Sequence, residues 1–272
     1  MPTNEQLRDI ERLQLECEAY DHVQLKLNWS MLGKRTGDEL DFLLYEGAEL
    51  IAFLGLYPFA STVEVCGMVK PSERRKGHFG SLFKQGMARA REHGFEKILL
   101  NAPSESVAAR EFLARIGAEY AFSEHQMEWE ARDLDGVAGV ELRPAEERDM
   151  ELRVRLNVEA FRMSEADSRA LENEQAGEGE VLIIEADKEP VGKIRVSRKD
   201  GQAWIYGFCV LQERQGRGIG RQALRRIVGE LSSEGYSVHL EVEAKNDHAL
   251  GLYRSVGFRA VHSQDYYSWP IE

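Results

Sequence analysis

The chain is poor in cysteine: Cys17, Cys66 and Cys209 are odd in number, far apart and without metal-ligand spacing. Neither a disulfide framework nor a metal site is indicated by that pattern. It also lacks a long apolar run, and Met1-Pro2-Thr3-Asn4-Glu5-Gln6 opens a polar, acidic helix in place of a secretory signal. No membrane association is expected, and a cytoplasmic location is the default. A basic surplus is missing too. The net charge of −12 argues against a nucleic-acid binder and favours cationic partners such as amines, although an acidic surface also serves solubility. With 43% hydrophobic and 30% charged residues in 272, the composition is that of a folded chain, long enough for two domains with separate cores.

Glycine is concentrated where it matters. Gly216, Gly218 and Gly220 alternate between an apolar strand expected over 205–211 and a helical run starting near Arg221. Glycine lets a backbone turn sharply and approach a ligand closely. The first turn of the following helix offers unpaired N–H groups and a positive dipole end, a natural seat for phosphate. Arg214, Arg217, Arg221 and Arg225 set cationic side chains around that turn. A dinucleotide-binding turn would need G-x-G-x-x-G and an acid about 20 residues on, and the third glycine is absent at that spacing.

The segment LEVEAKNDHALGLYRSVGF, 240–258, makes the pattern specific. A strand leads into Asn246, then a helix with Ala249, Leu252 and Tyr253, then Gly257-Phe258. Together the two segments resemble the GNAT superfamily of N-acetyltransferases, with its Q/R-x-x-G-x-G/A turn followed by N-x-x-A-x-x-L-Y-x-x-x-G-F. Gln215, Gly218 and Gly220 fill the first motif. The resemblance implies an α/β fold whose mixed, mostly antiparallel sheet has a splayed parallel pair and flanking helices. It implies acetyl-CoA as co-substrate, with pantetheine against the backbone of Cys209 and Val210. The pyrophosphate would lie on the turn Gly216, Arg217, Gly218, Ile219, Gly220 and Arg221, near Gln215 and Asn246.

The signal occurs twice. VKPSERRKGHFGSLF begins at Val69, 141 positions before Val210 of the later copy, and is followed by a strand over 95–101 and AAREFLARIGA, 108–118. Two tandem GNAT-like domains are the simplest account, 1–136 and 137–272, with the boundary near Gly136. In the second copy, helices are expected over 150–161, 165–178, 220–232 and 247–256, and strands over 181–186, 191–197, 205–211 and 238–242. Tyr266 to Trp269 reads as its closing strand. The first copy opens with a helix over 5–20 and has no evident first strand. Segments 28–38 and 162–180, weakly patterned, are the expected substrate loops.

Joining an amine to a thioester requires an acceptor for the amine proton and a donor for the leaving thiolate. Reference pKa values of about 10.4 for a lysine-like amine and about 10 for a phenol frame the problem. By resemblance Tyr253 is the acid, with ring packing as its alternative role. Glu241, in an L-E-V segment like that of the ribosomal-protein alanine N-acetyltransferases, is the candidate base or a structural carboxylate. Tyr206 and an ordered water are the other candidates for the base. Cys209 reads as a core or cofactor-lining residue, and the resemblance implies direct attack in a ternary complex instead of an acyl-cysteine. His239 and His248 read as satisfied or exposed.

The first copy departs from the motif. Phe79 stands where Gly220 does, Leu113 where Tyr253 does, and Ser106 where Asn246 does. Val69, Arg74, Arg75, Lys76, Gly77 and Gly80 remain a possible second cofactor site. Division into one active and one degenerate copy resembles tandem members such as mycothiol synthase. The expected function is acetyl transfer from acetyl-CoA to a small-molecule or peptide primary amine, in the second half. The alternative is a non-catalytic acyl-CoA-binding regulatory protein.

Overall fold

The computed structural model describes residues 2–37, 40–132, 134, 139–174 and 179–270. Two compact units emerge, Met1–Ser123 with Ser263–Glu272, and Glu124–His262. This differs from a cut near Gly136, a position that itself lies outside the described residues. The reason is an exchange of strands. The closing strand of the chain runs from Phe258 to Trp269, and its 264–269 stretch pairs with the first copy.

The first unit opens with helices α1 (Asn4–Asp21) and α2 (Trp29–Lys34). Thr3 caps α1 and exchanges bonds with Gln6 in a capping box, satisfying donors that the helix leaves orphaned. Helix α2 falls where a loop over 28–38 was expected, capped by Asn28, and Asp38 lies outside the described residues. Strands β1 (Asp41–Glu46), β2 (Glu49–Phe59), β3 (Thr62–Val69) and β4 (Lys97–Pro103) follow, with α3 (His78–Glu92) and α4 (Val107–Ile116). Pairing is antiparallel except between β3 and β4. Helices α3 and α4 cover one apolar core, and α1 and α2 cover another.

The next strand, β5 (Glu119–Trp129), is divided between the units. The second unit adds β6 (Val140–Pro144), α5 (Met150–Phe161), α6 (Glu165–Glu174), β7 (Glu180–Ala186), β8 (Glu189–Lys199) and β9 (Gln202–Val210). It closes with α7 (Ile219–Ser233), β10 (Ser237–Glu243), α8 (Asp247–Val256) and the start of β11 (Phe258–Trp269). Of the run expected to continue α6, residues 175–178 lie outside the described ones. β10 pairs antiparallel with β5 and parallel with β9, and β9, β8, β7 and β6 follow antiparallel. Ala223, Leu224, Ile227, Val228 and Leu231 repeat at helical spacing and seat α7 on the sheet. Each large aliphatic so buried contributes roughly 1.5–3 kcal/mol.

Candidate functional site

The parallel β9–β10 ladder runs from Gln202 and Ser237 to Ile205 and Leu240 and stops there. Beyond it β9 carries a bulge. From Lys193 to Arg195 the β8 strand advances two residues while β9 advances three, from Tyr206 to Cys209. Gly207, within the extra step, has φ +54°, a left-handed value that glycine adopts without a Cβ penalty. Past the end of that parallel ladder, Phe208–Val210 and Glu241–Glu243 border a gap between the two strands.

A cavity of about 1300 Å³ opens at this gap. At one end stands the glycine turn. Gly216 (φ +74°) and Gly218 (φ +81°) are left-handed, and Gln222 is the first residue bonding back into the turn, its N–H reaching Gly218 O at 3.0 Å. The N–H groups of Ile219, Gly220 and Arg221 therefore precede the helical ladder, where an anion can accept from them. Gln215 Nε2 donates to Val210 O at 2.9 Å, so this side chain ties the turn to the strand end. Gly220 is open enough that a Cβ would meet only ordinary contacts, the nearest Phe208 Cζ at 3.5 Å.

Of the residues anticipated for the donor, Cys209, Val210, Gln215, Gly216, Gly218, Ile219, Gly220, Arg221 and Asn246 all line the cavity. Arg217 does not; it lies between two left-handed glycines and is exposed. Asn246 has a local task as well, its Oδ1 capping α8 by accepting from Ala249 N at 3.1 Å. Arg214 is engaged by Glu189. The Cys209 thiol, buried against Leu156, Leu211 and Leu152, is pushed up to about 12 by burial, which keeps it protonated and inert.

Tyr253 and Glu241 line the same cavity from opposite elements, α8 and β10. The Tyr253 ring is buried beside Phe208 and Phe258. Burial raises its phenol above the ordinary value, and Cys209 adds to that, so the hydroxyl remains a donor. Glu241 and Glu243 share a face of β10 while Val242 turns into the core. Tyr206 does not reach the cavity lining; it stacks on Trp204, which also stacks on His239 at 5.0 Å. His248, by contrast, lines the cavity.

Sequence reading missed several lining groups. Glu159 and Phe161, at the end of α5, look like ordinary helix residues in the chain. Glu124 comes from β5, before the expected boundary, and faces Glu243 across the β5–β10 ladder. Glu124, Glu159, Glu241, Glu243 and Asp247 give the lining an acidic character, against Arg162, Arg221, Lys245 and His248.

The first unit repeats the turn, and its parallel β3–β4 ladder likewise stops, at Val65 and Leu100, while both strands run on. Arg75 (φ +68°) and Gly77 (φ +91°) reproduce its left-handed residues, and Arg74 Nε reaches Val69 O at 3.1 Å as Gln215 reaches Val210. Here the β2–β3 ladder is regular, without a bulge. The Phe79 ring lies over Gly67, where a Cβ would meet it at 2.6 Å, and packs edge-on against Phe112 at 4.8 Å. The remaining cavity is about 270 Å³. Val69, Arg74, Arg75, Gly77 and Gly80 line it, whereas Lys76 does not and pairs instead with Glu73, itself a lining residue. Both terminal nitrogens of the Arg74 guanidinium bond Asp21, at 2.8 and 2.6 Å, and Arg75 pairs with Glu111. Leu113 is buried where Tyr253 stands, and Ser106 caps α4 as Asn246 caps α8.

The family model described as Acetyltransferase (GNAT) family matches residues 4–118 and 147–258. The N-alpha-acetyltransferase RimI of Mycobacterium tuberculosis is 55% identical over 47 residues, 17% of this chain and 28% of that protein. The mycothiol acetyltransferase of Kineococcus radiotolerans is 29% identical over 219 residues, 75% of this chain and 71% of that one. Among solved structures, a GCN5-related N-acetyltransferase from Sphaerobacter thermophilus superposes with TM-score 0.78 at 18% identity, covering 97% of this chain and 92% of that one. A tandem GNAT protein from the clavulanic acid biosynthesis pathway gives 0.72 at 17% identity, covering 100% of this chain and 97% of that one. These two show the fold. No helix among the described residues is long and apolar enough to cross a membrane.

Proposed function

Because the chain belongs to the acetyltransferase (GNAT) family, we propose that its second unit moves an acetyl group from acetyl-CoA to a primary amine by direct attack. One observation carries this reading: the orphaned N–H groups of the glycine turn, the bulged end of β9, Tyr253 and Glu241 all open onto one cavity. Ile219, Gly220 and Arg221 offer N–H donors to the pyrophosphate, and the backbone of Cys209 and Val210 runs along the pantetheine arm. The donor brings a thioester carbonyl, and the chain supplies what surrounds it.

Glu241, directly or through a water, takes the proton that frees the amine lone pair. Nitrogen attacks the carbonyl, a C–N bond forms and the C–S bond breaks. The Tyr253 hydroxyl donates its proton to the departing sulfur, which leaves as thiol, and the excess proton on the newly bonded nitrogen passes to the Tyr253 oxygen, directly or through water, leaving the neutral amide. The acidic lining supports an acceptor that arrives as a cation, because carboxylates around a cleft raise the local concentration of cations. The relatives' names include a mycothiol acetyltransferase and a [ribosomal protein bS18]-alanine N-acetyltransferase, so both a small amine and a peptide α-amine are reasonable acceptor classes.

The test is to incubate the full chain with acetyl-CoA and a panel of spermidine, glucosamine and short peptide amides, following free thiol. Amine-dependent thiol release is expected with at least one acceptor class. Acetyl-CoA binding with no release for any amine supports the acyl-CoA-binding alternative instead.

A further inference from the structure

The face of the second sheet covered by α5 and α6 holds ionic and amide groups where an apolar core is expected. Glu172, Asn157, Lys193 and Arg195 are buried, and the Arg153 side chain nearly so. The Glu172 carboxylate accepts from Lys193 Nζ, from Asn157 Nδ2 at 3.0 Å and from Arg153 at 3.0 Å, with Arg195 at 3.5 Å. Lys193 also donates to Asn157 Oδ1 at 2.7 Å. Burial pushes the Glu172 carboxyl up, but Lys193, Asn157 and Arg195 outweigh it and hold the group below its ordinary value.

The first unit packs the same face differently. Counted back from the left-handed residues that end α1 and α5, His22 and Arg162, Leu13 and Cys17 stand where Arg153 and Asn157 do. Counted from the first residues of β2 and β8, Phe53 stands where Lys193 does. The same spacing of 140 sets Leu32 at the place of Glu172. Leu13, Cys17, Leu32 and Phe53 belong to one apolar cluster. An apolar solution is thus available to this framework within the same chain. Charges removed from water carry a desolvation cost that apolar residues of similar volume avoid, so stability alone does not explain the ionic version.

A second difference accompanies the first. The Lys193–Cys209 pair is the last before the ladder slips, and Lys193 Cε lies 3.9 Å from where a Cβ on Gly207 would be. The unit with the apolar cluster has no slip. Asn157, meanwhile, sits on α5 just before Glu159–Phe161, which line the cavity.

We propose that Glu172, Lys193 and Asn157 are positioning residues that hold the β9 bulge and the end of α5 so that the β9–β10 gap admits acetyl-CoA. This rests on the reading that the gap holds the donor. Two variants of the full chain test it. Arg153→Leu, Asn157→Cys, Glu172→Leu and Lys193→Phe together install the first unit's own residues. Glu172→Gln with Lys193→Met keeps shape and removes both charges. Each is followed by thermal unfolding and by calorimetric titration with acetyl-CoA. The expected result is acetyl-CoA affinity at least tenfold weaker in every variant that folds. A folded variant that binds within threefold of the parent overturns the proposal, whatever its melting temperature. Failure of both variants to fold makes the cluster a folding determinant and overturns it equally. A parent that binds no acetyl-CoA strikes down the reading of the site itself, an outcome distinct from either.

Discussion

Tyr253 has one polar atom, and the proposed chemistry depends on it. Tyr253→Phe keeps the ring between Phe208 and Phe258, so stability should change little. If the hydroxyl protonates the leaving sulfur, kcat should fall about 10²- to 10⁴-fold, with acetyl-CoA affinity within threefold of the parent in the calorimeter. Full kcat in that variant, with chemistry rate-limiting in single-turnover kinetics, contradicts the role. The pH dependence follows from the raised phenol. A pKa above the ordinary value of about 10 leaves the donor protonated as pH rises, so Tyr253 should impose no alkaline limb on kcat below that pH. A limb centred lower that vanishes in Tyr253→Phe argues against it. Motif spacing made Tyr253, Glu241, Gly218 and Gly220 legible in the chain. Glu124 and Phe161 were not, because nothing in local sequence says which face of a distant strand or helix end turns toward a gap.

Among the elements, β3 and β9 differ by one inserted residue, the bulge that β9 carries and β3 lacks. The misfit of Phe79 was visible in the sequence, since a ring cannot replace a small residue unnoticed. The bulge at Gly207 was not, because register is a property of two strands together. Helices α5 and α8 match their expected bounds for the opposite reason: their apolar spacing is local, and so is the Asn246 cap of α8. Two matched substitutions test the packing. In Gly67→Ala the new methyl meets Phe79 at 2.6 Å and the Phe53 carbonyl oxygen at 2.7 Å, and backbone cannot yield cheaply. A loss of roughly 1–3 kcal/mol is expected in urea unfolding. Gly220→Ala meets nothing nearer than 3.5 Å and should be neutral or stabilising by about 0.5–1 kcal/mol, with acetyl-CoA binding kept. Equal destabilisation by both changes argues against the closer packing of Phe79 on Gly67 than of Phe208 on Gly220.

For the molecule as a whole, the repeat in the sequence is real but the two units are not consecutive pieces of chain. The stretch 264–269 pairs with β4 of the first unit, and 124–128 pairs with β10 of the second. Strand periodicity marks a segment as extended without naming its partner, so a boundary near Gly136 was all the sequence supported. A fragment spanning 137–272 therefore lacks the strand beside β10, and it should show no cooperative melting transition by circular dichroism where the full chain does. A folded, active fragment contradicts the exchange. The central claim is that the molecule has one acetyl-transfer centre, in the second unit. Gly77 and Gly218 permit a controlled comparison, since both are left-handed helix caps with no neighbour within 4 Å of an added Cβ. Each is changed to Glu in the full chain, and turnover is followed with acetyl-CoA and the best acceptor from the panel. The account predicts that Gly218→Glu abolishes acetyl-CoA-dependent turnover while Gly77→Glu, bearing the same backbone strain, keeps it nearly intact. Loss of turnover in a folded Gly77→Glu variant to the same extent as in Gly218→Glu would contradict it.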